Sequence, residues 1–185
     1  MARSLGIGLL LAVMAAPCAG QPETAAQGPT EYQVKAAFLY NFAKFVEWPA
    51  EAHDPKGPLA ICVLGRDPFD GELERVTEGK TIDNRKIVIR RTRDMAIARS
   101  CQVLFVSLSE ARRVDEIFEA LRDTSVLSVS EIPRFCRSGG VIAFEMQGQR
   151  VRFRINAMAA ARANLKISSK LLQLAAAAPD TKGGH

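Results

Sequence analysis

The chain is poor in the side chains that do chemistry. It has two histidines in 185 residues, His53 and His185. Neither has a second ligand at metal spacing, so no zinc or haem site is expected. There is no Gly-x-Ser-x-Gly elbow and no phosphate-binding glycine loop. Gly65-Arg66-Asp67 lacks the further glycines of a nucleotide loop and reads as a turn from strand to helix. The four cysteines include no Cys-x-x-Cys pair, which argues against a dithiol redox centre. Glu110 and Asp115 have Arg112 and Arg113 between them, the pattern of a solvated, salt-bridged helix face. These absences give an enzyme no foothold: no catalytic residue, cofactor or metal is expected.

Long apolar runs are missing too, beyond the first twenty residues. There, Arg3 is followed by an apolar or glycine run over residues 5–16 and then by Pro17-Cys18-Ala19-Gly20. This is the layout of a secretory signal peptide, and the run is too short for a membrane span. Cleavage is placed after Gly20, with Ala26 as the alternative. Lipidation at Cys18 is the minor alternative, because Pro17 stands where a lipoprotein signal wants a small flexible residue. The expected organisation is therefore a signal peptide (1–20), a flexible leader (21–29), a single α/β domain (30–174) and a disordered tail (175–185), exported to the periplasm. Loss of Arg3 leaves 24 Lys and Arg against 20 Asp and Glu. That mild excess suits acidic partners and does not call for nucleic acid.

What is present is a regular alternation of elements. Thr30-Glu31-Tyr32-Gln33 has capping-box form, and Val34, Phe38, Phe42 and Phe45 give the helix behind it one apolar stripe. The continuous apolar run 59–64, closed by Gly65, reads as a strand buried on both faces. Further strands are read at 86–90, 101–107 and 126–129. Helices are read at 68–78, weakly at 94–99, and at 110–121 with Ser109 as cap; 131–136 is a short helical turn. Residues 141–145 and 150–155 flank a short link and imply an antiparallel hairpin. Asn156 caps a last helical region, Asn164 interrupts it in a left-handed conformation, and Ser168 or Ser169 caps a final turn. The fold class is α/β: a mainly parallel sheet of about six strands, helices on both faces, and a C-terminal antiparallel hairpin.

Three features carry information. Cys62 lies in the first strand and Cys101 opens the third, and in a doubly wound order 2-1-3 those strands are neighbours. They are a disulfide or two buried free thiols; export favours the bridge. Cys136 is then left over. Second, strand side chains alternate, so Arg150, Arg152 and Arg154 share one face and Val151, Phe153 and Ile155 the other. The arginine face either protects a sheet edge or docks an acidic surface. Third, Phe38, Tyr40, Phe42, Phe45 and Trp48 cluster. They are core, or Tyr40 and Trp48, off the main stripe, are exposed anchors for a second subunit.

The run Val34-Lys35-Ala36-Ala37-Phe38-Leu39-Tyr40-Asn41-Phe42-Ala43-Lys44-Phe45-Val46-Glu47-Trp48-Pro49 resembles the opening of the YfiR-like family of periplasmic proteins. Arg154-Ile155-Asn156, Ala159-Ala160-Ala161 and the stretch from Leu165-Lys166-Ile167-Ser168-Ser169 to Leu172 resemble its closing motif, and Ile61-Cys62-Val63-Leu64-Gly65 its first strand. The resemblance implies a repressor that binds the periplasmic part of an inner-membrane diguanylate cyclase, or of a related sensor receptor. An outer-membrane lipoprotein that sequesters the repressor releases the cyclase, and cyclic di-GMP and biofilm formation rise. It also implies homodimers and activity linked to disulfide state, with Cys62 and Cys101 matching the family's first pair. Two departures stand out. No cysteine follows Cys136 to form a second bridge, and Asn164 replaces the usual glycine of the closing motif. A small-molecule sensor, its ligand in a crevice at the strand ends, is the rival reading.

Overall fold

The computed structural model describes residues 28–176 apart from 53 and 55. The signal peptide, Cys18, most of the leader and most of the tail lie outside the described residues, as do His53 and His185. Helix α1 (Glu31–Phe45) opens with the capping box in place: Gln33 N–H donates to Thr30 Oγ1 at 3.3 Å, and Thr30 N–H donates to Gln33 Oε1 at 2.9 Å. It runs into a two-residue strand, β1 (Val46–Glu47). Then follow β2 (Leu59–Leu64), α2 (Glu72–Thr77), β3 (Thr81–Ile82), β4 (Arg85–Thr92), α3 (Met95–Ala98) and β5 (Val103–Val106). A 3-10 turn, Leu108–Arg113, leads into α4 (Val114–Leu121), β6 (Leu127–Ser130), α5 (Phe135–Ser138) and the hairpin β7 (Ile142–Gln147) and β8 (Arg150–Ile155). The described chain closes with α6 (Ala157–Arg162), β9 (Lys166–Ile167) and α7 (Ser169–Ala176).

The main sheet has seven strands in the order β3-β4-β2-β5-β6-β7-β8, and β1 pairs antiparallel with β9 in a separate ladder. From β4 to β7 all neighbours are parallel; β3 and β8 are antiparallel additions at the two ends. All six residues of β2 are buried, because helices cover the central strands on both faces. On one face Leu59, Ile61, Val63, Val103, Phe105, Leu127 and Val129 pack under α1, α2, α6 and α7. On the other, Cys62, Leu64, Leu104 and Val106 pack on Ala98, Ile117 and Phe135 from α3, α4 and α5. Cys62 and Cys101 form a disulfide on this second face, with Cα atoms 6.1 Å apart.

Several boundaries move for local reasons. The helix expected over 68–78 starts only at Glu72, because Asp70 and Gly71 are both left-handed (φ 48° and 82°). A hairpin β3–β4, absent from the expected elements, precedes the parallel part of β4: Asp83 and Asn84 have φ of 50° and 60°, the paired positive values of a two-residue hairpin turn. Ser107, not Ser109, caps the turn before α4, accepting from Ser109 N at 3.3 Å. Asn156 caps α6 through Ala159 N (3.0 Å), and Asn164 is left-handed at φ 55°, both as expected. Helix α7 extends to Ala176, two residues into the expected tail.

Candidate functional site

The arginine strand is built as its alternation requires. In β8, Val151, Phe153 and Ile155 join the core beneath α1, where the Phe153 ring lies 4.9 Å from Phe42 and 5.2 Å from Phe38. Arg150, Arg152 and Arg154 leave the sheet on the opposite face. Register sets Gln147, Glu145 and Ala143 of β7 against them in turn. Arg154 reaches diagonally to Glu145 in a two-pronged pair, Nε–Oε1 3.0 Å and Nη2–Oε2 3.2 Å. Arg152 is half-buried and its Nε is enclosed without a hydrogen-bond partner. Arg150 is exposed. The ridge thus combines one neutralised guanidinium, Arg154, with two that have no ion pair among the described residues, Arg150 exposed and Arg152 half-buried, a surface suited to carboxylates.

Of the two readings of the aromatic cluster, the structure favours core: Tyr40 and Trp48 are not fully exposed. Both are half-buried and pack against the core. The reason is that α1 is covered almost all round: only Glu31 and Lys44 of its fifteen residues are exposed. The Tyr40 ring carries Lys80 Nζ 4.7 Å from its centroid. Trp48 sits beside the β1–β9 ladder with its indole Nε1 enclosed and unpartnered. Since α1 and the arginine ridge occupy opposite faces of the sheet, the two sets of residues do not form one surface.

Sequence reasoning missed a buried ionic cluster. Lys35, 1% exposed, pairs with both Glu31 and Glu131, and Tyr32 Oη–H donates to Glu131 Oε1 at 3.1 Å. Burial first, and then the Glu131 charge, push the Tyr32 phenol up to about 12. A lysine four residues after a glutamate inside an apolar stripe was the only local sign of it; Glu131 lies 96 residues away from Lys35.

Glu131 also lines a cavity of about 310 Å³ whose walls include Arg134, Cys136, Arg137, Glu145 and Arg154. Arg134 is left-handed there at φ 64°. Cys136, a free thiol, is buried, and burial pushes its pKa up to about 11. It is therefore a thiol at neutral pH, a poor nucleophile and a poor metal ligand. A chain beginning at Gln21 is expected to give no reaction with a thiol reagent at pH 8 while folded, and one thiol after unfolding in urea. Rapid labelling of the folded chain would show that the pocket around Cys136 opens readily. Elsewhere, Gly65 at the end of β2 lies close under the 3-10 turn that follows β5. A Cβ on Gly65 (φ 94°) would stand 2.5 Å from Ser109 Oγ and 2.6 Å from Glu110 Oε1. Glu110 is held by Arg113 at 3.3 Å, as a salt-bridged face predicts. Among the described residues, no three His, Cys, Asp or Glu gather as a metal site, and no helix is long and apolar enough to cross a membrane.

The fold has a solved counterpart, described as a conserved domain protein from Vibrio cholerae O1 biovar eltor str. N16961. It superposes with a TM-score of 0.56 at 11% identity, over 79% of this chain and 59% of that one. The present chain thus spans under two thirds of that protein, and at this identity the likeness concerns the fold alone. A sequence profile described as YfiR/HmsC-like matches residues 32–176, from the capping-box helix through α7. The profile takes in the aromatic helix, both bridged cysteines and the arginine strand, and the chain belongs to the YfiR/HmsC-like family.

Proposed function

We propose that this protein is a periplasmic repressor. It holds the periplasmic part of an inner-membrane diguanylate cyclase, or of a related sensor receptor, inactive by direct contact, and so limits cyclic di-GMP and biofilm formation. Membership of a family of periplasmic regulatory proteins supports the class of function. The observation that carries the contact is the β8 ridge, where Arg150 is exposed and Arg152 half-buried on the face of the strand turned away from α1, with no ion pair to either among the described residues. Such forks recognise carboxylates in pairs of parallel hydrogen bonds, so an acidic patch on the receptor is the natural complement. Export into an oxidising compartment fits the Cys62–Cys101 bridge. An outer-membrane lipoprotein that competes for the repressor, and a homodimer as the acting form, complete the reading.

Deleting the protein is expected to raise cyclic di-GMP and biofilm mass several-fold, and the native chain supplied in trans should reverse this. Arg150→Glu combined with Arg152→Gln should not reverse it, while leaving circular dichroism and melting temperature near the native values. Gln is chosen at 152 because a glutamate there would face Glu145 across the ladder and add like-charge repulsion. No rise in cyclic di-GMP on deletion would reject the repressor. A rise on deletion with full rescue by the double variant would reject the β8 ridge alone.

A second reading has one observation in its favour. The cavity beside Cys136 brings two carboxylates and three guanidinium groups around about 310 Å³, a lining that suits a small zwitterion. A thermal shift with such a compound, lost in Arg137→Ala, would support a sensor role.

A further inference from the structure

The sheet has a second edge, at the opposite end from β8, and it is only partly closed. Strand β3 pairs with Arg85 and Lys86 and no further. Residues 87–92 of β4 therefore have no strand on their outer side among the described residues. The direction of the backbone groups can be read off. Gly65 N–H donates to the Thr92 carbonyl at 3.0 Å, so Thr92 faces β2. Peptide groups alternate along a strand, so Ile89 and Arg91 aim their N–H and C=O outward. Beside this edge lies a groove of about 650 Å³ between α2 and β4, floored by Ile87 and Ile89, both half-buried. On the other face of the strand Val88 and Arg90 project.

The charge of the strand itself is one-sided, while the far wall of the groove carries Glu74 and Glu78 with Arg75 and Lys80. From Arg85 to Arg93 there are five cations and no acid. Arg91 is neutralised by Asp67 (2.6 Å) and Glu74, and Arg85 spends its donors on the Gly57 and Pro58 carbonyls. Lys86, Arg90 and Arg93 have no ion pair among the described residues. Basic side chains on an edge also discourage edge-to-edge aggregation. Here, however, they lie beside outward-facing peptide groups and a groove floored by Ile87 and Ile89, the arrangement that accepts an added strand. A second copy of this chain would set the same cationic strand against itself.

We propose that the outer edge of β4 is a docking site for an extended acidic segment of a partner protein, which adds to the sheet as an eighth strand. Alternation dictates its pattern. Apolar side chains enter the groove over Ile87 and Ile89, and carboxylates at the intervening positions meet Arg90 on the other face, with Lys86 at the end of the groove. The site lies at the far end of the sheet from the β8 ridge, so both can be occupied at once. It does not depend on the repressor reading.

The probe is a synthetic ten-residue peptide alternating valine with glutamate, fluorescently labelled, titrated into the chain from Gln21 onward. Saturable binding in the micromolar range is expected, weakening steeply with added salt. The Ile89 and Arg91 amides should exchange faster than those of Val88 and Arg90 in the free protein, and slow at least tenfold with peptide bound. Arg90→Glu should weaken binding tenfold or more and restore it for a valine–lysine peptide. Ile89→Pro removes an outward N–H only, a change tolerated on an edge, and should weaken binding tenfold beyond Ile89→Ala. Where Ile89→Pro disturbs the fold, methylating alternate peptide nitrogens removes the same bonds from the other side. No binding at millimolar peptide, binding indifferent to methylation, or self-association through this edge instead would overturn the proposal.

Discussion

Replacing Cys62 and Cys101 together by alanine should cost about 4 kcal/mol of stability and lower the melting temperature by roughly 8–16 °C. The bridge closes a loop with a sequence separation of 39, and the chain-entropy estimate for such a loop is about 4 kcal/mol. A domain of this size has about 5–15 kcal/mol in total, so the variant stands near the edge of folding at growth temperature. The position of the bridge explains why so much depends on it. It joins the middle of β2 to the residue entering β5, and the closed loop contains α2, β3, β4 and α3, the whole of one side of the sheet. Two tests separate the cross-link from mere packing. Both cysteines are fully buried, so alanine leaves only a small void. The native chain unfolded with and without a phosphine reductant should then show nearly the same difference as the variant does. A difference below about 1 kcal/mol in both would mean that the unfolded chain is already held compact by something other than the bridge.

How much of this was legible before the fold was known depends on how local each signal is. The strands at 59–64 and 103–106 are apolar throughout because both faces are covered, and that pattern survives in the sequence. The capping box at Thr30, the Asn156 cap and the left-handed Asn164 are set by neighbours three or four residues away, and all were readable. The apolar stripe of α1 misled. Stripe reasoning assumes one wet face, and this helix has almost none, because α2 and α7 flank it while the sheet closes beneath. That is why Tyr40, though off the main stripe, is half-buried. The pairing of Cys62 with Cys101 was open to reasoning only because the strand order could be guessed. The partially closed β4 edge depends on β3 stopping after two residues, which no residue in the strand announces.

Removing the ammonium of Lys35 is the second change with a large expected effect. Lys35→Met should cost about 3 kcal/mol, the low end of the penalty for leaving a partner charge behind, because Glu131 is 14% exposed and Glu31 39%. The side chain is 2% exposed and its two carboxylate partners lie on different elements, Glu31 one turn back on α1 and Glu131 just past β6. The ammonium also lies over the Tyr32 ring at 4.7 Å. This cluster anchors the first turn of α1 to the end of the parallel sheet. Its loss should loosen the wall of the cavity that Glu131 lines. Removing both of the more enclosed charges tests the electrostatic origin: Lys35→Met with Glu131→Leu should recover much of the loss, since the carboxylate then left without its ammonium, Glu31, is 39% exposed and solvated. If the double variant is as unstable as the sum of the singles, the cluster acts through shape and not through charge. The phenol gives an independent check. Tyr32 keeps its proton in the folded state to about pH 12, whereas the unfolded chain releases it near 10.0. Between those values the folded state binds more protons, so stability falls as pH rises through that window. Tyr32→Phe should flatten that alkaline fall in urea midpoints measured from pH 9 upward. An unchanged slope would place the Tyr32 hydroxyl in water, away from Glu131.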